Sequence, residues 1–488
     1  MKNIRASSSA SGIRNTYDQT INFSSYGGSP GASGATNSAA ILSLNTALAG
    51  LSGRTQLIID PGTYSFSSAF NIASTAAGMK LTVSAYGVTI AGPSTANGFN
   101  IGNNVYNDNT HNAKFTTTGA GASTITLVTA AQTSRFSVGK WVYLTGIDTQ
   151  GYGLPSNPGL FEFKKIASIG TGTITFTEPL INSYKSTWPS YATGDASNID
   201  QGGPANIYAL KDGWDSEIEM KGARFSDTGN LTYGSCRQMI WTDCTFDTYG
   251  PCPSINLLFR AQRCTATGFG AQEPDKIVHR AEFIDSAIRA IEFQSSSINE
   301  LYVSNVSQPV IGGLSTPRWI GGAQRSNYFS GLSTESFTFG EKNYGCMGPT
   351  TMVNCSSTAG TFSNAVSTPF SDMTEEGGGV LSYAGGPGSA TSPSHYWAIP
   401  GGNAVLLDSN NNFARSFQIS DVSQSGGRTY VTTNLPNPVP STINGRSAPW
   451  KIIAHPCPSV TMTNCTGNTL FTTHSGLPAG TPFNSWTL

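Results

Sequence analysis

Met220-Lys-Gly-Ala-Arg-Phe225, Ile240-Trp-Thr-Asp-Cys-Thr-Phe246, Leu257-Leu-Phe-Arg-Ala-Gln-Arg-Cys264, Ile277-Val-His-Arg-Ala-Glu-Phe283 and Leu301-Tyr-Val-Ser-Asn-Val306 follow one another with short polar turns between them. Ala223, Cys244, Cys264, Phe283 and Val306 occupy one equivalent position, at steps of 21, 20, 19 and 23 residues. A period near 20 with alternating apolar positions is what a coiled parallel sheet writes into a sequence. Each turn of the coil, a rung, pairs edge to edge with the next, and its inward side chains stack into one core. Strands of a sandwich recur at ~8–12 residues, so the longer step favours the coil.

The cysteines repeat the same message. Cys236 precedes Cys244, Cys252 precedes Cys264, Cys346 precedes Cys355, and Cys457 precedes Cys465. The second member closes a strand in Thr-Asp-Cys, Gln-Arg-Cys, Val-Asn-Cys or Thr-Asn-Cys. An extended segment of eight residues spans ~26 Å, and a disulfide needs its Cα atoms within ~7 Å. Buried, stacked, reduced thiols are therefore the preferred reading over bonds within each pair. The spacings lack the short Cys-x-x-Cys pairs of a zinc site.

Composition agrees with an all-β protein. Only 11% of residues are charged, against about 25% in an average domain. Gly is 55 of 488 residues, and 38% of the chain is hydrophobic, which excludes wholesale disorder. The net charge of −1 gives no electrostatic case for nucleic acid. No apolar run is long enough for a spanning helix, so no membrane insertion is expected. Met1-Lys-Asn-Ile-Arg-Ala-Ser carries basic residues without an apolar segment behind them. That reads as no secretory leader and as synthesis in a cytoplasm.

Residues 21–72 read as strand, glycine turn, helix, strand, turn. Asn37 or Ser38 is placed to cap the helix, and Ala39, Ile41, Leu42, Leu44 and Leu48 give it an apolar face. Such a helix covers the open end of a coil, whose core and strand edges are otherwise exposed. Leu57–Ile59 is a buried strand, which Pro61-Gly62 turns sharply. The chain then divides into an N-terminal arm at 1–20, a capping helix with the first rungs at 21–114 and a β insertion at 115–188. A central β-helix at 189–379, a second β insertion at 380–450 and a last rung with tail at 451–488 complete it.

The glycine turn, the alanine-rich helix and the strand ending in Pro61-Gly62-Thr63-Tyr64 resemble the head of pectate-lyase-like right-handed β-helix proteins, above all bacteriophage tailspikes. Ala35-Thr-Asn-Ser38 stands where that family carries an acidic pair. The resemblance implies a single-stranded right-handed parallel β-helix with an N-terminal capping helix and two β insertions. It further implies a homotrimer that engages host cell-surface polysaccharide and depolymerises it, as a glycoside hydrolase or lyase. The N-terminus would attach to phage tail or baseplate proteins, which places the protein in the virion tail, made in the host cytoplasm. A secreted polysaccharide lyase or glycosidase, and a non-enzymatic virion fibre, are the alternatives.

No Gly-x-Ser-x-Gly elbow, His-Glu-x-x-His or phosphate-binding loop occurs, and no metal or other cofactor is expected. Carboxylates are scarce, 28 in all, so their clusters are informative. The 19-residue step from Cys264 to Phe283 also carries Glu273 onto Glu292, which would set them ~4.8 Å apart by backbone. Two close carboxylates repel, one pKa rises, and a proton donor stands beside a base. Glu273, Glu292 and Asp275 are thus the catalytic candidates, against a surface pair neutralised by Lys276, Arg280 and Arg289. Arg289, Arg318 and Trp319 are the candidates for holding sugar, as planar donors and a stacking ring. Asp372-Met-Thr-Glu-Glu-Gly reads as a mobile solvated turn, and Asp212-Gly-Trp-Asp-Ser-Glu217 as a rung corner.

Overall fold

The computed structural model describes residues 17–68, 70–72, 77–92, 99–103, 110–148, 158–187, 205–226, 233–250, 252–271, 276–289, 291–293, 296–307, 319–320, 323–334, 337–339, 350–357, 361–364, 374–384, 403–410, 413–454, 460–466 and 469–470. The arm at 1–20 lies outside them up to residue 16.

One long sheet runs the length of the molecule. Its strands are β1 (Gln19–Asn22), β2 (Arg54–Ile58), β3 (Lys80–Ser84), β4 (Glu217–Lys221), β5 (Gln238–Thr242), β6 (Ile255–Gln262), β7 (Lys276–Ile284), β8 (Ser296–Ser304), β9 (Ala323–Ser330), β10 (Thr350–Val353) and β11 (Val460–Thr463). They are neighbours in that order and pair in parallel throughout. A second parallel sheet runs beside it from Gly62–Ser65 to Thr469–Leu470, and a short third one joins Phe70–Ile72, Phe99–Asn103, Tyr233–Ser235 and Cys252–Pro253. Crossovers between twisted parallel strands are right-handed. The chain is an all-β, right-handed parallel β-helix.

The core is built in columns. Leu57, Val83, Met220, Trp241, Ala261, Phe283, Val303, Phe329 and Met352 stack rung upon rung, all buried. Large and small members alternate around Trp241, whose ring meets Phe225 and Phe246 at 5.7 and 5.4 Å. Such interdigitation fills the interior to the density that cores require.

A second column marks the corner after the long sheet. Asp243, Arg263, Asp285, Asn305, Asn354 and Asn464 have φ between 50° and 56°, and Gly222 and Gly331 take the same place at 76° and 61°. Left-handed backbone disfavours most side chains, and Asn, Asp and Gly bear it best. The residue after each one points inward: Ala223, Cys244, Cys264, Ser286, Val306, Leu332, Cys355 and Cys465. Four members of the expected stack hold, namely Ala223, Cys244, Cys264 and Val306. Phe283 does not belong to it. The neighbour of Cys264 is Ser286, whose Oγ accepts the Cys264 amide at 3.0 Å. Phe283 instead stacks between Ala261 and Val303. The step there is 22 residues, not 19. Cys236, Cys244, Cys264, Cys355 and Cys465 are free thiols, while Cys346 and Cys457 lie outside the described residues.

Helix α1 (Gly34–Leu48) covers the first rungs. It starts earlier than the sequence suggests, with Ser33 as its cap, the hydroxyl accepting from Thr36 N at 3.2 Å. Asn37 is buried inside the first turn, where it accepts from Ser29 N and donates to Ser65 O. Ser38 Oγ accepts from the amides of Ser67 and Ser68. Ala40, Ile41, Leu44 and Leu48 form the buried face, and Leu42 faces solvent. Gly62 turns the next strand with φ 141°, where an added Cβ would lie 2.5 Å from Pro30.

Two antiparallel sheets of six strands each interrupt the coil, one within Asn112–Ala209 and one within Thr374–Ala454. The first closes its hairpin at Gly172, φ 74°, between Ile169 and its partner Ile174. Its Tyr143, Phe161, Phe163 and Tyr208 pack on Trp214, Ile255 and Ile277 of the coil. Lys185 Nζ beyond that sheet meets Asp421 Oδ2 of the second at 2.5 Å.

Candidate functional site

Alternation along the long sheet turns every second residue outward, and parallel register stacks those residues ~4.8 Å apart. One outward column runs Lys80, Glu217, Gln238, Leu258, Arg280, Glu300. The next runs Thr82, Glu219, Ile240, Arg260, Glu282, Tyr302, Tyr328, Thr351. Like charges at that spacing would repel, and the register sets opposite ones together. Arg260 Nε donates to Glu282 Oε2. Arg280 Nε donates to Glu282 Oε1 at 2.5 Å, and its Nη1 to Glu300 Oε2 at 2.9 Å. The Glu282 hydrogen bond, ahead of every other influence in its favour, raises the pKa of Arg280.

Glu282 is nearly buried, whereas Glu300 and Arg280 each keep more than two fifths of their side chains in solvent. The Arg280 guanidinium also lies over the Tyr302 ring, 5.8 Å from its centroid. Tyr302 in turn stacks on Tyr328, and Tyr328 is exposed. The small Thr351 follows Tyr328 on the next rung. Beside this array, His279 Nδ1 faces Asn299 Nδ2 at 3.2 Å, and burial lowers the His279 pKa.

The result is a strip of fixed hydrogen-bonding groups ending in flat rings. Carboxylates and guanidinia match the hydroxyls of a sugar, and an aromatic face matches the apolar face of a pyranose. Towards the first rungs the same face continues through the pairs Lys80–Glu217, 2.9 Å, and Lys221–Glu219, 3.0 Å. A hollow of about 170 Å³ opens there, lined by Tyr17, Arg54, Lys80, Glu217 and Glu219 among others. Among the described residues no three His, Cys, Asp or Glu side chains are grouped to hold a metal ion.

The residues singled out from the sequence fare differently. Glu292 pairs with Gly270 on one side and Ile320 on the other. The 19-residue register that set Glu273 beside it is therefore not the register of the sheet. Glu273, Asp275 and Arg318 lie outside the described residues. Trp319 pairs by backbone with Ile291. Arg289 is half-buried in the turn after Ile288, its amide bonded to Ala266 O at 3.0 Å.

The other acidic clusters are structural. Thr374–Gly377 is a strand rather than a mobile turn. In it Glu375 accepts from Val439 N, and Glu376 accepts from Ser382 Oγ. Trp214 is fully buried, with Nε1 bonded to Ile255 O at 2.7 Å, so the corner at Asp212–Glu217 presents no ring to a ligand.

Arg260, Arg280, Glu282, Glu300, Tyr302 and Tyr328 were not singled out from the sequence. Arg260-Ala-Gln and Arg280-Ala-Glu look like equivalent triplets at a step of 20, which would stack arginine on arginine. The signal that gives the true step is the left-handed Asp or Asn before each small corner residue, in Thr-Asp243-Cys, Ile-Asp285-Ser and Ser-Asn305-Val.

No protein-family model matches the chain, and no curated protein does. Among solved structures it is similar to the tailspike Gp54 of Acinetobacter baumannii bacteriophage AP22, described in complex with an A. baumannii capsular saccharide. That match has a TM-score of 0.40 at 11% identity and covers 69% of this chain and 54% of the other. The tailspike gp49 of Pseudomonas phage LKA1 gives 0.37 at 11%, covering 70% and 61%. The tailspike gp61 of Pseudomonas phage phi297 gives 0.29 at 10%, covering 89% and 98%. The matched region thus spans little more than half of the first two chains. At such identities no residue's role passes from one chain to another.

Proposed function

We propose that this protein is a bacteriophage tailspike or receptor-binding protein that holds host surface polysaccharide along the outward face of its long sheet. The observation that carries the proposal is the continuous array Arg260–Glu282–Arg280–Glu300, which ends on the stacked rings of Tyr302 and Tyr328. A groove-tracking polymer needs many fixed polar partners in line with its own repeat, and stacked rungs supply them at constant spacing. The head around Pro61-Gly62-Thr63-Tyr64, similar to that of tailspikes, supports the virion assignment. In this reading the chain assembles as a homotrimer on tail proteins through its N-terminal arm.

Cleavage of the bound glycan extends the same proposal. Glu273, Glu292 and Asp275 remain its sequence-based candidates, with Arg289, Arg318 and Trp319 beside them. Glu282 is nearly buried and both its oxygens are taken up by arginines, so the array itself is assigned to binding.

The test is retention of purified surface polysaccharides from a panel of bacterial strains on immobilised protein, with Arg280→Ala and Tyr302→Ala in parallel. Retention of one glycan by the parent, lost in both variants while their circular dichroism is unchanged, is the expected result. Retention that is equal in all three proteins places the binding face elsewhere. No retention of any glycan turns the assignment towards a structural fibre. Sedimentation mass checks the trimer separately.

A further inference from the structure

We propose that Cys355 and Cys465 form an oxidation site, at which a small disulfide from solvent drives a bond between two rungs that closes the second insertion at its base. The two residues are far apart in the chain and adjacent in space. Residues 356–464, which include the whole second antiparallel sheet, lie between them. The corner backbone clamps both: Asn354 N donates to Thr463 O at 2.9 Å, and Thr466 N donates to Cys355 O at 2.9 Å. Neighbouring strands set the Cα atoms ~4.8 Å apart, inside the range of about 4.4–6.8 Å that a disulfide spans.

The side chains are already matched. Cys355 Sγ donates to Val353 O and Phe329 O at 3.4 and 3.6 Å. Cys465 Sγ donates to Thr463 O and Met352 O at 3.5 and 3.6 Å. Both therefore leave the corner in one direction. Their access to solvent differs. Cys355 is 1% exposed, and burial pushes its thiol up to about 12. Cys465 is only part-buried.

That asymmetry sets the order of events. The Cys465 sulfur gives up its proton to solvent and attacks a small disulfide, whose S–S bond breaks to release one thiolate. Cys355 then loses its proton, attacks the mixed disulfide at Cys465, and expels the second thiolate. Two protein thiols are oxidised, and one small disulfide is reduced to two small thiols. The fold carries its own control. Cys244 and Cys264 stack in the same column with the same hydrogen bonds, but both are 1% exposed. With neither sulfur open to solvent, that pair stays reduced while the coil is folded.

The test treats the native full-length chain with glutathione disulfide, alkylates the remaining thiols, and maps peptides by mass spectrometry. The expected product is a Cys355–Cys465 peptide lighter by two hydrogens, with Cys244 and Cys264 recovered alkylated. On a denaturing, non-reducing gel the closed loop runs as a faster band, which reductant reverses and Cys465→Ser abolishes. Serine is tolerated in this column, as Ser286 shows by making the same bond to the carbonyl two residues back, 2.7 Å. A link from Cys465 to Cys457 or from Cys355 to Cys346, a mixed disulfide that stops at Cys465, or two untouched thiols would each overturn the proposal.

Discussion

Tyr302 stacks on Tyr328 with ring centroids 5.2 Å apart and planes within 6° of parallel. The pair continues a column whose previous member, Glu282, is nearly buried, and Arg280 covers the far face of Tyr302. One side of the stack is thus closed by a cation. On the other side the register sets the short Thr351 next to Tyr328, which is exposed.

A sugar ring laid on Tyr328 would complete the stack. Tyr328→Ala should therefore weaken glycan retention about tenfold, the loss of one aromatic contact of about 1.5 kcal/mol. Stability should change little, since Tyr328 is exposed. Titration of the retained glycan against both proteins measures the ratio. Unchanged affinity in the variant removes Tyr328 from the site.

Glu282 is the structural hinge of the array. Glu282→Gln keeps its shape but leaves Arg260 and Arg280 without their shared carboxylate. Hydrogen bonds to charged groups are worth about 1.5–3 kcal/mol, and both arginines are partly solvated, so a loss of about 1–3 kcal/mol is expected. The urea midpoint reads it. A midpoint within error of the parent would mean that solvent replaces the pair without cost.

His279 gives the protein a pH signature. Burial lowers its pKa first of all, Arg280 and Lys164 push the same way, and Glu300 opposes them. Between that lowered value and the ordinary ~6.5, the unfolded chain binds a proton that the folded chain refuses. This contribution to stability is fully present above ~6.5 and is lost as pH falls towards the folded value. Denaturation midpoints should therefore fall between about pH 7 and pH 5, and less steeply in His279→Asn. Parallel slopes in the two proteins would assign the pH dependence to other groups.

The coil itself is legible in the sequence because its period and its inward alternation are long-range and redundant. Ala223, Cys244, Cys264 and Val306 are enough to set it. What the apolar pattern leaves open is the length of each step. Phe283, within its strand, and Ser286, at the corner after it, both face inward from one rung, so hydrophobicity alone does not choose which of them follows Cys264. The choice is made by backbone strain. Asp285 has φ 50°, and it must stack on Arg263, φ 51°, and under Asn305, φ 51°. The three-residue difference moves Glu292 from Glu273 to Gly270, and it sets Arg260 on Glu282 instead of on His279. A site built across rungs inherits every error in the step between them, whereas a site within one strand does not.

That register is open to a direct energetic test. If Arg260 faces Glu282, removing both charges should cost less than the sum of removing each, because the second loss no longer strands a partner. Arg260→Gln, Glu282→Gln and the double variant form a cycle whose coupling should lie in the range of about 0.5–3 kcal/mol found for residues in contact. Arg54 pairs with Asp18 four rungs away from Arg260. Arg260→Gln with Arg54→Gln should then be additive to within about 0.5 kcal/mol. A step of 20 residues would instead place Arg260 beside Arg280, and neutralising Arg260 would relieve repulsion and stabilise the chain. Urea unfolding of the single and double variants separates the two registers by sign: a more stable Arg260→Gln, with no coupling to Glu282, would refute the pairing on which the array depends.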